Sequence, residues 1–249
     1  NSIGFADKRF DELSYARVVA QRFSTDHHEY VVQPNALDAI EKLSWFYDEP
    51  FGDSSSIPTY YVSQMARQTV KVALSGDGGD ENFAGYPRYA YLASVAGLQK
   101  LVPGFAKAAA RNASAALGVG NPWAMKIKNK LGELHLPLFE LYFNNISIFK
   151  EWESSSLYGQ VLQDRLRGYS ASTEFRRIFD RCRSDDPVSR FQYMDMKTSL
   201  PDEMLVKTDR ASSAHGLEVR VPLLDHELME FVATIPSSLK VSGPAGKYI

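Results

Sequence analysis

Along residues 1–90 the apolar positions switch between short runs and helical spacing. Ser2–Phe5 and His28–Val32 are short stretches with β-branched or aromatic residues, and they predict strands. Between them Asp7–Asp11 reads as a charged connection. Leu13, Ala16, Val19, Ala20 and Phe23 then follow the i, i+3, i+4 spacing of an amphipathic helix over Asp11–Phe23. Ile40, Leu43 and Tyr47 mark a second helix, Ala36–Tyr47. Asp48–Pro58 reads as a loop, Tyr60–Gln68 as a helix and Val70–Leu74 as a third strand. This β-α-β-α-α-β order implies parallel strands with right-handed crossovers.

The pattern changes after Tyr89. Residues 91–190 carry helical runs near Ala106–Leu117, Leu138–Asn144 and Phe175–Arg183, punctuated by Pro103, Pro122 and Pro137. Residues 191–249 predict helices over Val188–Ser199 and Pro201–His215, an extended Leu217–Pro222 and a final helix, Asp225–Ile235. The expected organisation is an α/β part (1–90), a helical insertion (91–190) and a helical return segment (191–249). At 249 residues and 44% hydrophobic, the chain can bury one substantial core. A net charge of −2 without a lysine-rich tract argues against nucleic-acid binding through a basic face. No apolar run approaches the ~20 residues of a membrane span. The single cysteine, Cys182, rules out an internal disulfide and fits a reducing, cytoplasmic setting. The first and last residues, Asn1 and Ile249, look like cut ends of a longer protein.

The densest polar signal is the turn Ser75-Gly76-Asp77-Gly78-Gly79-Asp80-Glu81, which follows the strand Val70–Leu74. Ligands of open α/β sheets bind beyond the carboxyl ends of strands, and glycine lets the backbone approach them closely. Three carboxylates beside such a turn repel bare phosphate, so a divalent cation is the natural third party. The plainer reading is helix capping by Asp80 or Glu81. Neither the Gly-Lys-Ser/Thr phosphate loop nor Gly-x-Gly-x-x-Gly is present. A haloacid-dehalogenase-like phosphatase needs an Asp-x-Asp pair, which this sequence lacks.

A second polar cluster spans Lys207–Asp225. Lys207 and Arg210 share a helical face, and Glu218 and Arg220 share one side of a strand. A surface helix with ordinary ion pairs is the default there. Asp53-Ser54-Ser55-Ser56 offers hydroxyls for capping or substrate contact. His27 and His28 are adjacent on a strand and face opposite ways, which disfavours a shared metal. Cys182, between Arg181 and Arg183, has no nearby histidine to make it a nucleophile.

Taken together, Ser75–Glu81 with Gly85-Tyr86, Asp209-Arg210-Ala211-Ser212 and Glu218-Val219-Arg220-Val221-Pro222-Leu223-Leu224-Asp225 resemble the synthetase domain of glutamine-hydrolysing asparagine synthetases. Ser2–Phe5, His27-His28-Glu29 and Asp53-Ser54-Ser55 fit in order and spacing. The variant is similar to bacterial homologues associated with exopolysaccharide or exosortase clusters. The resemblance implies a parallel sheet of the adenine-nucleotide α-hydrolase (PP-loop ATPase) type with helices on both faces, then a mostly helical half. It implies ATP and Mg2+, adenylation of aspartate, release of pyrophosphate, and attack by ammonia to give asparagine and AMP. By position, Ile3 would contact adenine, Ser75 and Gly76 the nucleotide, and Asp80 magnesium. Asp77, with Glu81 in the same acidic shell, would serve catalysis.

Asp77 stands where the family usually has glutamate, with a side chain one methylene shorter. The pyrophosphate-binding Ser-Gly-Gly-x-Asp-Ser loop and the glutaminase domain, the expected partner on the same full chain, are absent from this sequence. The family's catalytic lysine is placed downstream of Gly246-Lys247-Tyr248-Ile249, so Lys247 is not given that role. The isolated chain is therefore expected to make no product, and a homodimer is compatible with the resemblance. Two alternatives stand beside this reading. One is a β-lactam-synthetase-like or other amidotransferase acting on a different carboxylate, and the other is a non-catalytic nucleotide-binding module.

Overall fold

The structure, a computed structural model, describes residues 1–6, 8–9, 11–32, 36–117, 122–243 and 246–249. Asp7 and Phe10 of the expected charged connection lie outside the described residues. In chain order the elements begin β1 (Ser2–Phe5), α1 (Leu13–Phe23), β2 (Glu29–Val32), α2 (Ala36–Tyr47), α3 (Ser56–Ala66) and β3 (Val72–Leu74). They continue with α4 (Gly79–Phe83), α5 (Pro87–Leu101), α6 (Gly104–Ala116), α7 (Pro122–Glu133), α8 (Leu138–Ile146), α9 (Glu151–Leu157), α10 (Gln160–Arg165), α11 (Ala171–Arg181) and α12 (Pro187–Lys197). A π-helical turn (Leu200–Leu205) leads into α13 (Val206–Ser213), β4 (Glu218–Arg220), a 3-10 turn (Pro222–Leu224), α14 (His226–Thr234) and α15 (Ser237–Lys240).

The chain divides into two compact units, residues 1–77 with 199–225 and residues 78–198 with 226–249. The first unit is α/β. β1 and β2 pair in parallel from Ser2 against Glu29 to Phe5 against Val32. β3 pairs in parallel with β4, from Val72 against Glu218 to Leu74 against Arg220. Parallel pairing agrees with the crossover pattern, but one sheet running through the first three strands does not form among the described residues. Two two-stranded sheets form instead. The reason lies in the helices. α13 packs on α3, the helix that leads into β3, with the His215 ring 4.3 Å from that of Tyr60. The segment after α13 is thereby delivered alongside β3. Ala39, Leu43, Tyr47, Tyr60 and Ala211 form this unit's buried core.

α3 begins inside the expected loop. Asp53 accepts hydrogen bonds from the Ser55 backbone N–H (2.8 Å) and hydroxyl (2.6 Å), an Asx turn that starts the helix. Pro58 falls in the first turn, where its missing N–H costs nothing.

His215 carries a pH signature. Burial, with Lys42 nearby, holds its imidazole below the ordinary value near 6.5. A depressed pKa means that the unfolded chain binds the proton first, so stability falls as pH drops through that ordinary value. His215→Phe is expected to flatten the decline in urea midpoint between pH 8 and 5.5. An unchanged slope would contradict the assignment.

The second unit is helical. Tyr89, Leu92, Phe139, Tyr142, Phe191 and Met194 form its core. Within that core Asp195 is fully buried and takes Arg88 Nη2 at 2.8 Å, the Tyr142 hydroxyl at 2.6 Å and the Tyr89 hydroxyl. Burial and the Asp195 charge push both tyrosines above their ordinary pKa. Among the described residues no helix is long and apolar enough to cross a membrane.

Candidate active site

In the first unit, β3 ends at Leu74 and the chain opens into a cavity of about 630 Å³. Ser75, Gly76 and Asp77 line it, with Ser55 and Thr59 of the α3 region and Lys207 and Thr208 of α13. This volume lies within the range of small-molecule sites. The Ser75 N–H donates to the Arg220 carbonyl at 2.8 Å, so pairing with β4 fixes where the turn starts. Asp77 Oδ2 accepts the Ser75 hydroxyl at 2.8 Å and the Thr208 hydroxyl at 2.9 Å. Asn1 lines the cavity, whereas Ile3 is not among the lining residues.

The cavity's cation is Lys207, 8% exposed, with Nζ 2.9 Å from Asp53 Oδ2 and 2.7 Å from the Ser55 hydroxyl. Burial raises the Asp53 pKa, but bonds from Ser55 and Lys207 outweigh it and hold the carboxyl below its ordinary value. Behind the pair, Tyr47 donates to the Lys207 carbonyl at 3.2 Å. Burial, with the Asp53 charge, pushes its hydroxyl up to about 12. The cluster joins positions 154 apart in sequence. Its parts were visible separately, as the hydroxyls after Asp53 and the charges of Lys207–Arg210. Nothing local said that they meet.

The second unit holds the acidic half of the turn. Gly78, at φ 86°, precedes the short helix α4, which carries Asp80 and Glu81 in its first turn. Asp80 Oδ1 lies 3.0 Å from Lys247 Nζ, and both side chains are partly exposed. Glu81 does not face solvent. It is 2% exposed, and it accepts the Tyr86 hydroxyl at 2.8 Å. Burial raises its pKa despite that bond.

Lys247, given no role on sequence, reaches Asp80 because two glycines permit it. A methyl group at Gly85 would overlap Asp80 Oδ1 and Lys247 Cε, and one at Gly246 would overlap the Ala84 carbonyl oxygen. The Lys247 N–H donates to the Phe83 carbonyl at 3.1 Å, and the Gly85 N–H to the Asp80 carbonyl at 2.9 Å. Gly85→Ala is therefore expected to separate Asp80 from Lys247. In a crystal structure of the variant their distance should exceed 4 Å, the usual limit for an ion pair. An intact pair would overturn this.

Among the described residues no group of three His, Cys, Asp or Glu could cage a metal ion. Asp80 is a single, accessible carboxylate. That donor set fits a hydrated magnesium carried by a polyphosphate, which needs only one or two protein carboxylates.

Comparison with known proteins gives these features a family. The asparagine synthase family matches residues 1–249. Asparagine synthetase (glutamine-hydrolyzing) 1 of Bacillus subtilis is 29% identical over 253 residues, covering 100% of this chain and 38% of that protein. A Methanocaldococcus jannaschii protein provisionally named asparagine synthetase (glutamine-hydrolyzing) 2 is 35% identical over 222 residues, covering 85% of this chain and 39% of its own. Amidase chry2 of Gibberella zeae is 24% identical over 256 residues, covering 93% of this chain and 36% of its own. The chain thus spans a little over a third of the length of these relatives. With its whole length matched, this chain belongs to the asparagine synthase family.

Proposed function

We propose that this chain supplies the carboxylate-adenylating part of an ATP-dependent amide ligase. The supporting observation is the cavity beyond β3, where Ser75, Gly76, Asp77 and Lys207 line a volume within the range of small-molecule sites. One oxygen of the acceptor carboxylate attacks the α-phosphorus of ATP, the bond to the bridging oxygen breaks, and pyrophosphate leaves. Ammonia then attacks the acyl carbon of the mixed anhydride, and AMP leaves with that carboxylate oxygen.

Ser75 and Gly76 bind the nucleotide in this cavity, and Ile3, which does not line it, takes no part in this reading. Asp77, oriented by Thr208, faces the acceptor. Lys207, held by Asp53 and Ser55, is the lysine assigned to the acceptor carboxylate. Asp80 would hold magnesium, which supplies charge neutralisation on the triphosphate. Glu81 holds Tyr86 and thereby the turn.

Aspartate is the assigned acceptor and glutamine the assigned source of ammonia, delivered by a glutaminase domain. A second acceptor deserves a place in the assay, because Asp77 is one methylene shorter than the glutamate that the family resemblance leads one to expect. The test incubates the full natural chain with ATP, magnesium, ammonium chloride and a panel of amino acids and uronic acids. Equimolar AMP, pyrophosphate and amide are expected with one acceptor. ADP and phosphate, or nucleotide binding without turnover, would overturn the proposal.

A further inference from the structure

One face of α12 is turned toward the acidic turn of the second unit. Gln192 and Asp195 lie three apart on that face. Gln192 is 4% exposed, and its side-chain amide donates to the carbonyls of Glu81 (2.5 Å) and Asn82 (2.8 Å). Asp195 anchors Arg88, whose guanidinium carbon sits 3.9 Å from the centre of the Tyr86 ring. Tyr86 in turn holds Glu81. Both ends of residues 81–88 are therefore tied to α12.

α4 needs such ties. It has five residues, and neither of its cap residues supplies a side-chain hydrogen bond. A helix this short does not hold itself in water, and its last carbonyls have no partners within the helix. Gln192 supplies partners to two of them, Glu81 and Asn82, while the Gly85 and Lys247 N–H groups serve Asp80 and Phe83.

We infer that Gln192 and Asp195 are positioning residues, which hold α4 in the place where Asp80 meets Lys247. Neither would touch substrate. The catalytic consequence rests on the proposed adenylation, whereas the positioning itself does not.

Gln192→Met keeps the bulk and removes the amide, including the donor to Glu81 and Asn82. In the full natural chain, hydrogen exchange at the Gly85 and Lys247 amides, which bond to Asp80 and Phe83, is expected to rise at least tenfold, while α5 and α8 keep wild-type protection. Gln192→Glu restores a donor only when protonated, so its protection at Gly85 and Lys247 should recover relative to wild type as pH falls. In the full natural chain, Gln192→Met and Asp195→Asn are expected to lower kcat for AMP formation at least tenfold, with KM for ATP unchanged within twofold. Wild-type protection at Gly85 and Lys247 would overturn the inference. So would an equal loss across α5 and α8, or a loss confined to KM. If the unmutated protein forms no AMP, the proposed function fails, and the exchange measurements still decide the positioning.

Discussion

Asp195→Ala is expected to destabilise the chain by about 3–5 kcal/mol, the range for breaking a buried ion pair from one side. Asp195 is fully buried and answers three donors, namely Arg88, Tyr89 and Tyr142. Alanine leaves the Tyr89 and Tyr142 hydroxyls in the helical core without their acceptor, and it takes the ion-pair partner from the partly exposed Arg88 guanidinium. The cost therefore exceeds that of deleting an exposed carboxylate. Removing the charge from both sides, as in Arg88→Met with Asp195→Leu, should recover much of the loss, because well-packed apolar groups often replace buried pairs at little cost. Urea denaturation at pH 7 measures both variants. A loss below about 1 kcal/mol for Asp195→Ala would show that water reaches the cluster.

Asp80→Ala is expected to leave the fold intact and lower AMP formation by about 100-fold or more, the scale on which charge-stabilising groups act. Its carboxylate is partly exposed and contacts Lys247, so stability should change by no more than ~0.5 kcal/mol, as for other surface positions. The loss should appear in turnover and in the magnesium concentration required, because a hydrated magnesium leans on one or two protein carboxylates. Turnover at the wild-type rate would remove Asp80 from the site.

Much of the first unit could be read from local pattern. Leu13–Phe23 and Ala36–Tyr47 carry clear helical spacing, and the extended stretches at Ser2–Phe5 and Glu29–Val32 form where expected. α5 and α7 were harder, since Tyr89–Leu101 and Pro122–Glu133 mix aromatic, small and charged residues without a clean apolar stripe. The partner of β3 could not be read locally, because β4 returns from the far end of the chain. The same limit hid the site's contacts. The glycine-rich acidic turn announces itself within seven residues, but Lys207 meets Asp53 across 154 positions and Gln192 meets Glu81 across 111. Periodicity reports which face of an element is buried, and it carries no information on which distant side chain fills the space. Lys247 escaped for a related reason. Its significance depends on Gly85 and Gly246 leaving room, and the absence of a side chain leaves little mark in a sequence pattern.

Oxygen-isotope transfer tests the adenylation most directly. With both side-chain carboxylate oxygens of aspartate labelled with 18O, the full natural chain should produce AMP carrying one labelled oxygen on its phosphate, matched in amount to asparagine. AMP without label, or label appearing in inorganic phosphate, would contradict attack of the carboxylate on the α-phosphorus.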